Sequence, residues 1–168
     1  NRAGDNTFRA LESARHETKN TAHRGAHAHR FAGTDFGRCG TPVHLCARPG
    51  RVDAVDVADE VGGAPGAFSP YAVYLPSGAP GELRAIRDGR AHVQDEGSQL
   101  VAIALAEAPV EGSDERWLDL CAGPGGKAAL LGALADLRGA HVTAVEITPH
   151  RADLVRRIVL ARVAERSA

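Results

Sequence analysis

Aromatic side chains make up only 4% of this 168-residue chain, so platforms on which a flat ligand could stack are scarce. Neither sign of charge dominates. Twenty Lys and Arg stand against 21 Asp and Glu, a net charge of -1 that gives the whole chain no strong pull towards nucleic acid. Three cysteines without regular spacing argue against a disulfide framework and fit a reducing compartment. There is no signal-peptide pattern at the start and no apolar run long enough to span a bilayer, so the expectation is a soluble, cytoplasmic protein with no membrane partner. The length allows one domain, or a small domain plus part of another.

Residues 1–40 are poorer still. They hold no Val or Ile and a single Leu, Leu11, alongside His16, His23, His27 and His29. Seven basic residues against four acidic ones give this segment +3 and leave -4 for the remainder. Such a composition buries too little apolar surface to offset chain entropy, so a low-order basic arm is expected here. It reads either as a loose tail or as an arm touching RNA phosphates.

What is present concentrates further on. Trp117, Leu118 and Leu120 form a short apolar run that reads as a strand. The chain must then turn sharply, because Cys121-Ala122-Gly123-Pro124-Gly125-Gly126-Lys127 holds three glycines and a proline. Ala128 to Ala135 follows as a helix apolar on most faces. Strand, glycine-rich turn and buried helix open a ligand site in a doubly wound α/β sheet, where a ligand approaches bare backbone and the free N–H groups of the helix start. The turn does not meet the dinucleotide pattern G-x-G-x-x-G. A phosphate-cradling loop would need Gly at Cys121 and Ser or Thr at Ala128. S-adenosyl-L-methionine requires neither, but it calls for an acidic residue at the tip of the next strand to bind its ribose hydroxyls. His141 to Glu146 supplies a strand ending in Glu146, 23 residues after Gly123.

Residues 41–95 read as a small α+β unit. Val43–Ala47 is a candidate strand, Asp53 a candidate cap for a helix through Val61, and Tyr71–Leu75 a second strand. A short helix around Leu83 and Ile86 and a third strand at Arg90–Val93 complete it. Cys39, His44 and Cys46, with His27 or His29, lack the paired spacings of structural zinc, so no metal is expected and Cys46 reads as a core residue. Next, Asp95 or Ser98 can cap a helix from Gln99 to Ala108 whose Leu100, Val101, Ile103 and Leu105 recur at helical spacing. After Glu146, Thr148-Pro149 is a good helix start, with Leu154, Ile158 and Ala161 on one face.

Asp119-Leu120-Cys121-Ala122-Gly123-Pro124-Gly125-Gly126-Lys127, preceded by Val93-Gln94-Asp95-Glu96-Gly97-Ser98-Gln99, resembles the RsmB/NOP-type (Fmu/Sun) RNA cytosine-5 methyltransferases over roughly residues 41–160. The resemblance implies a partial Rossmann-like methyltransferase domain over 96–168, a doubly wound α/β sheet, preceded by a small α+β RNA-engaging subdomain over 41–95. It implies S-adenosyl-L-methionine as cofactor, held by Cys121, Ala122, Gly123, Pro124, Gly125, Gly126, Lys127 and Glu146. Asp119 would orient the loop or the donor's ammonium group, and Gln94, Asp95 and Ser98 would brace the loop or face the target nucleotide. RNA, with ribosomal RNA foremost, is the implied partner, and Arg48, Arg51, Arg84, Arg87 and Arg90 are candidate phosphate contacts. In the family a cysteine thiolate adds to C6 and a nearby aspartate-proline-cysteine segment completes the site, and these residues contain no Asp-x-Pro-Cys or Thr-Cys-Ser run; the nucleophile is expected beyond Ala168 and the chain alone is expected not to methylate RNA. Cys121 reads as part of the donor turn, not as the nucleophile. Two other classes stand beside this one: a non-catalytic RNA-binding module, and a nicotinamide-dependent oxidoreductase fragment, which the Gly-Pro-Gly-Gly turn disfavours.

Overall fold

A computed structural model of the chain describes residues 42–77 and 79–160. The expectations for residues 1–40, including a basic arm and the ligands Cys39, His27 and His29, lie outside the described residues.

Four short strands form an antiparallel sheet in the order β2-β3-β1-β4: β1 Val43–Ala47, β2 Ala64–Pro65, β3 Ala72–Leu75 and β4 Ala91–Val93. The period-two alternation of a strand sends neighbouring side chains of β1 to opposite faces. Leu45 and Ala47 join Val73, Ala85 and Ala91 on one face, under the helices α1 (Ala54–Val61) and α2 (Arg84–Arg87). Leu45 sits opposite Val73 across the ladder, and both are fully buried with Val57 of α1. Each such side chain contributes about 1.5–3 kcal/mol of burial. Cys46 points the other way, into a second core. Burial pushes its thiol up to about 12, against the lowering charge of Arg48. It is a core residue, as read. Asp53 occupies the start of α1 in extended conformation, but its side chain makes no capping bond.

The second core belongs to the other half: α3 (Glu96–Glu107), β5 (Arg116–Asp119), α4 (Gly126–Arg138), β6 (His141–Ala144) and α5 (Pro149–Leu160). Strands β5 and β6 pair in parallel, Trp117 beside Val142 and Leu118 beside Thr143. Helix α4 is buried along most of its length, from Ala128 to Leu131 and from Ala133 to Ala135, as its apolar sequence demands. Its last turn is tied to the end of α3, where the Arg138 guanidinium donates to the Ala106 carbonyl.

Helix α3 corrects the sequence reading. Its large apolar residues Leu100, Val101 and Leu105 face solvent, with Val101 59% exposed, while Glu96, Gln99, Ala102 and Ala106 are buried. Two alanines let α3 lie close against α4. Gln99 is tolerated in the interior because its amide nitrogen donates to the Leu45 and Gln94 carbonyls (3.1 and 3.0 Å), and its oxygen accepts from the Ser69 hydroxyl (2.7 Å). Glu96 is likewise satisfied. Burial pushes its carboxyl up, but the Ser69 N–H (2.9 Å), the Tyr74 hydroxyl (2.5 Å) and the Phe68 N–H (2.8 Å) together hold it below the usual range.

One face of the β5–β6 pair is open among the described residues. Leu118 and Leu120 are 55% and 66% exposed and Ile147 91%, whereas Val142 and Ala144 on the opposite face are buried. No helix among the described residues is long and apolar enough to cross a membrane.

Candidate functional site

The glycine turn leaves the end of β5 and stays tied to the chain leaving β6. Val145 N–H donates to the Asp119 carbonyl (2.8 Å) and Ala122 N–H to the Val145 carbonyl (3.0 Å), so the ladder runs on past both strands. The Asp119 carboxylate accepts the Cys121 N–H (3.1 Å), orienting the start of the turn. Cys121, Pro124 and Lys127 are exposed, and Ala122 and Gly125 are buried.

Two glycines of the turn are closely packed by what surrounds them. A side chain on Gly123 would run into the Glu146 carboxylate and the Arg151 Nε. Gly125 has φ +121°, a conformation that side-chain-bearing residues rarely adopt, and a Cβ there would lie 3.1 Å from the Val155 Cα of α5. Helix α4 begins one residue later, and the N–H groups of its first turn have no acceptor four residues back within the helix.

Strand β6 ends at Ala144, two residues short of the expected tip, yet Glu146 is delivered to the turn. Its Oε2 accepts the Gly123 N–H (3.2 Å) and its Oε1 accepts the Thr148 N–H (2.9 Å). Arg151 of α5 lies 3.5 Å from the same carboxylate and donates to the Gly123 carbonyl at 2.7 Å. The Thr148 N–H above all holds Glu146 below the ordinary carboxylate range, with the Thr148 hydroxyl, the Arg151 charge and the Gly123 N–H acting in the same direction against desolvation. Thr148 and Arg151 were not foreseen as part of the site; the helix-start signal at Thr148-Pro149 is the trace they leave in the sequence.

The antiparallel sheet backs the turn from the other side. Gln94 is buried, and a Cβ on Gly126 would lie 3.5 Å from its Cγ. His92 Nε2 lies 2.9 Å from Gln94 Oε1 and 3.2 Å from the Gly126 carbonyl oxygen. Gln94 thus lies beside the start of α4, with His92 Nε2 between its carboxamide and the Gly126 carbonyl. Asp95 caps α3 by accepting the Ser98 N–H (3.2 Å), so of the two candidate caps Asp95 is the one used.

The arginines divide. Arg48 is 4% exposed and donates to the Ile158 carbonyl of α5 (2.7 Å), which removes it from the candidate phosphate contacts. Arg90 grips Glu60 with both terminal nitrogens (2.8 and 3.0 Å), and Arg84 pairs with Asp88 at 3.2 Å. Among the described residues no group of three or more His, Cys, Asp or Glu is arranged to hold a metal ion. His44 Nδ1 instead accepts the Glu96 N–H (3.1 Å).

An alternating strand–helix half built on a parallel pair, with a carboxylate closed onto a glycine turn, defines the class of Rossmann-like α/β proteins. The crystal structure of PH0851 superimposes with a TM-score of 0.64, covering 74% of this chain and 28% of that one at 19% identity, which shows the partial Rossmann-like fold. Residues 104–165 match the family model described as 16S rRNA methyltransferase RsmB/F, which supports the RsmB/NOP-type methyltransferase family for this chain. It is 64% identical over 113 residues to two Mycobacterium tuberculosis proteins named "Putative methyltransferase MT1451" and "Putative methyltransferase Rv1407", a match covering 67% of this chain. It is also 36% identical over 91 residues to "Probable ribosomal RNA small subunit methyltransferase B" of Bacillus subtilis, covering 54% of this chain and 19% of that protein. The match spans 25% of the length of the mycobacterial relatives.

Proposed function

We propose that this chain carries the methyl-donor site of an S-adenosyl-L-methionine-dependent methyltransferase that acts on RNA, with cytosine C5 of ribosomal RNA as its target. The observation that carries the reading is the Glu146 carboxylate hydrogen-bonded to Gly123 N–H, 23 residues away in sequence. The residues present fit such a donor. The glycines let the turn pack closely on Glu146 and α5, and the first turn of α4 offers N–H groups for the donor's carboxylate. Glu146 stands where the ribose hydroxyls of such a donor would be held, and would take them in exchange for its present bonds to Gly123 and Thr148. Exposed Lys127 adds a positive charge at the mouth, and the Asp119 carboxylate sets the turn's entry. When bound, the donor supplies an electron-poor methyl group on a sulfonium.

What this chain's described residues do not offer is the nucleophile. Adding to C6 of cytosine takes a thiolate. Of the two described cysteines, Cys46 is locked in the core with its thiol pushed up to about 12, and Cys121 sits in the donor turn. The open apolar face of β5–β6 also supports the reading that these residues are one part of a larger catalytic domain. Under this proposal residues 41–95 form the RNA-engaging subdomain, 96–168 begin the donor-binding domain, and the protein works in the cytoplasm. Calorimetric titration with S-adenosyl-L-methionine and with NAD tests it. Binding of the first and not the second is expected. Preference for NAD would favour an oxidoreductase, and salt-dependent RNA binding without donor binding would favour a non-catalytic RNA module.

A further inference from the structure

We propose that His92, on the antiparallel sheet, is a positioning residue for the donor turn, its one N–H fixing the first turn of α4 through the Gly126 carbonyl and the Gln94 carboxamide. This role rests on the reading of that turn as a donor site, although the contact itself does not.

His92 lies opposite Cys46 in the β4–β1 ladder and is only 5% exposed. An imidazole is an expensive choice for such a place, because each ring nitrogen must find a partner or stay unsatisfied away from water. Nδ1 has found none among the described residues. A leucine or phenylalanine there would bury more apolar area without that penalty. The compensation is at Nε2, and both neighbours of Nε2 belong to the donor turn or touch it: Gln94 Oε1 at 2.9 Å and the Gly126 carbonyl at 3.2 Å.

The protonation state follows from the same contacts. A carbonyl oxygen only accepts, so the Gly126 contact is a hydrogen bond only if Nε2 carries the proton. Burial, reinforced by the Arg48 charge, keeps the ring neutral by holding it down to about 4. A neutral ring has a single N–H, so with Nε2 protonated Nδ1 is bare. Gln94 must then present its oxygen to His92, which leaves its amide nitrogen buried without an acceptor among the described residues. One proton thus sets the orientation of the ring, of the carboxamide and of the Gly126 peptide.

The opposite side of the turn is clamped from the same sheet. Gly125 lies against Val155 and Ile158 of α5, and Arg48, at the end of β1, holds the Ile158 carbonyl at 2.7 Å. The turn therefore sits between two supports, both anchored in the antiparallel sheet. That sheet does more than offer a surface for RNA: it determines where the N–H groups of the α4 start point.

Three measurements on the full 168-residue chain test this. The ¹⁵N imidazole signals of the unmodified protein at pH 7 should report the Nε2–H tautomer for His92; the Nδ1–H tautomer overturns the proposal without any variant. Amide hydrogen exchange with no ligand added should then compare His92→Leu with His92→Gln, whose carboxamide keeps an N–H. In His92→Leu, exchange over 123–131 should rise about tenfold while Leu45 and Val73 keep their protection; in His92→Gln the rise should be several-fold smaller. Unchanged exchange at 123–131, or an equal rise throughout the antiparallel sheet, overturns the positioning role. Finally, S-adenosyl-L-methionine should bind His92→Leu about tenfold more weakly than the unmodified chain, and His92→Gln should recover most of the loss. Equal donor binding by His92→Leu overturns the role. If the unmodified chain binds no donor while the tautomer and exchange results hold, it is the donor-site reading that fails and the structural coupling that stands.

Discussion

Replacing Gly125 with alanine should destabilise the protein for two reasons that can be sized separately. At φ +121° an alanine is held in a backbone region costing about 1–3 kcal/mol. Its Cβ would also stand 3.1 Å from the Val155 Cα and 3.2 Å from the Ile158 Cδ1. The first of these is backbone of α5, which cannot swing aside, and crowding of this kind costs about a further 1–3 kcal/mol. The sum, about 2–6 kcal/mol, corresponds to a fall in Tm on the order of 5–15 °C for a chain of this size. Gly132 provides the internal control. It lies seven residues further on, inside α4, and a Cβ there would meet nothing within 4 Å. Alanine at 132 should therefore stabilise α4 by about 0.5–1 kcal/mol through helix propensity alone. Urea and thermal melts of the two variants should move in opposite directions. A Gly125→Ala protein that melts with the unmodified chain would refute the claim that the turn is pressed onto α5.

Three further outcomes follow from the packing and the electrostatics. Val101→Ser should leave the urea midpoint nearly unchanged, within about 0.5 kcal/mol, because Val101 is 59% exposed. Ala102→Leu should cost about 1–3 kcal/mol, because Ala102 is 1% exposed against α4. Stability should also depend on pH through His92, which burial first and Arg48 second hold down to about 4 from an ordinary 6.5. Between those values the unfolded chain binds the proton and the folded one does not, so the contribution is full above about pH 6.5 and is lost as pH falls towards 4. It amounts to about 3 kcal/mol at most, and urea midpoints at pH 7 and 4.5 should differ more for the unmodified chain than for His92→Gln.

How much of this was legible in the sequence depends on whether the signal was local. The strand–turn–helix from Trp117 to Ala135 was readable because an apolar run, a glycine cluster and a buried helix follow one another without interruption. Glu146 was readable as a carboxylate one strand later, although the ladder stops at Ala144 and the turn carries the carboxylate the remaining distance. The face of α3 was not readable. Periodicity favours Leu100, Val101 and Leu105 for the core, but α4 comes too close for anything larger than Ala102 and Ala106, and the buried Gln99 is satisfied by carbonyls 54 and 5 residues away. The same holds for Arg48, which read as one more surface arginine: its partner, the Ile158 carbonyl, lies 110 residues downstream. Contacts between the two halves of the described chain leave no periodic trace, so the support under the turn emerges only once both halves are in place.

The most direct test of the central claim is the ¹H–¹⁵N spectrum of the chain during titration with S-adenosylhomocysteine, the demethylated donor. The account predicts saturable shifts concentrated at the amides of Cys121, Gly123, Gly125, Gly126 and Lys127 and at Glu146 and Ile147, and their loss in Glu146→Gln at the same ligand concentration. Saturable shifts elsewhere with these amides still, or binding that Glu146→Gln leaves untouched, would contradict it.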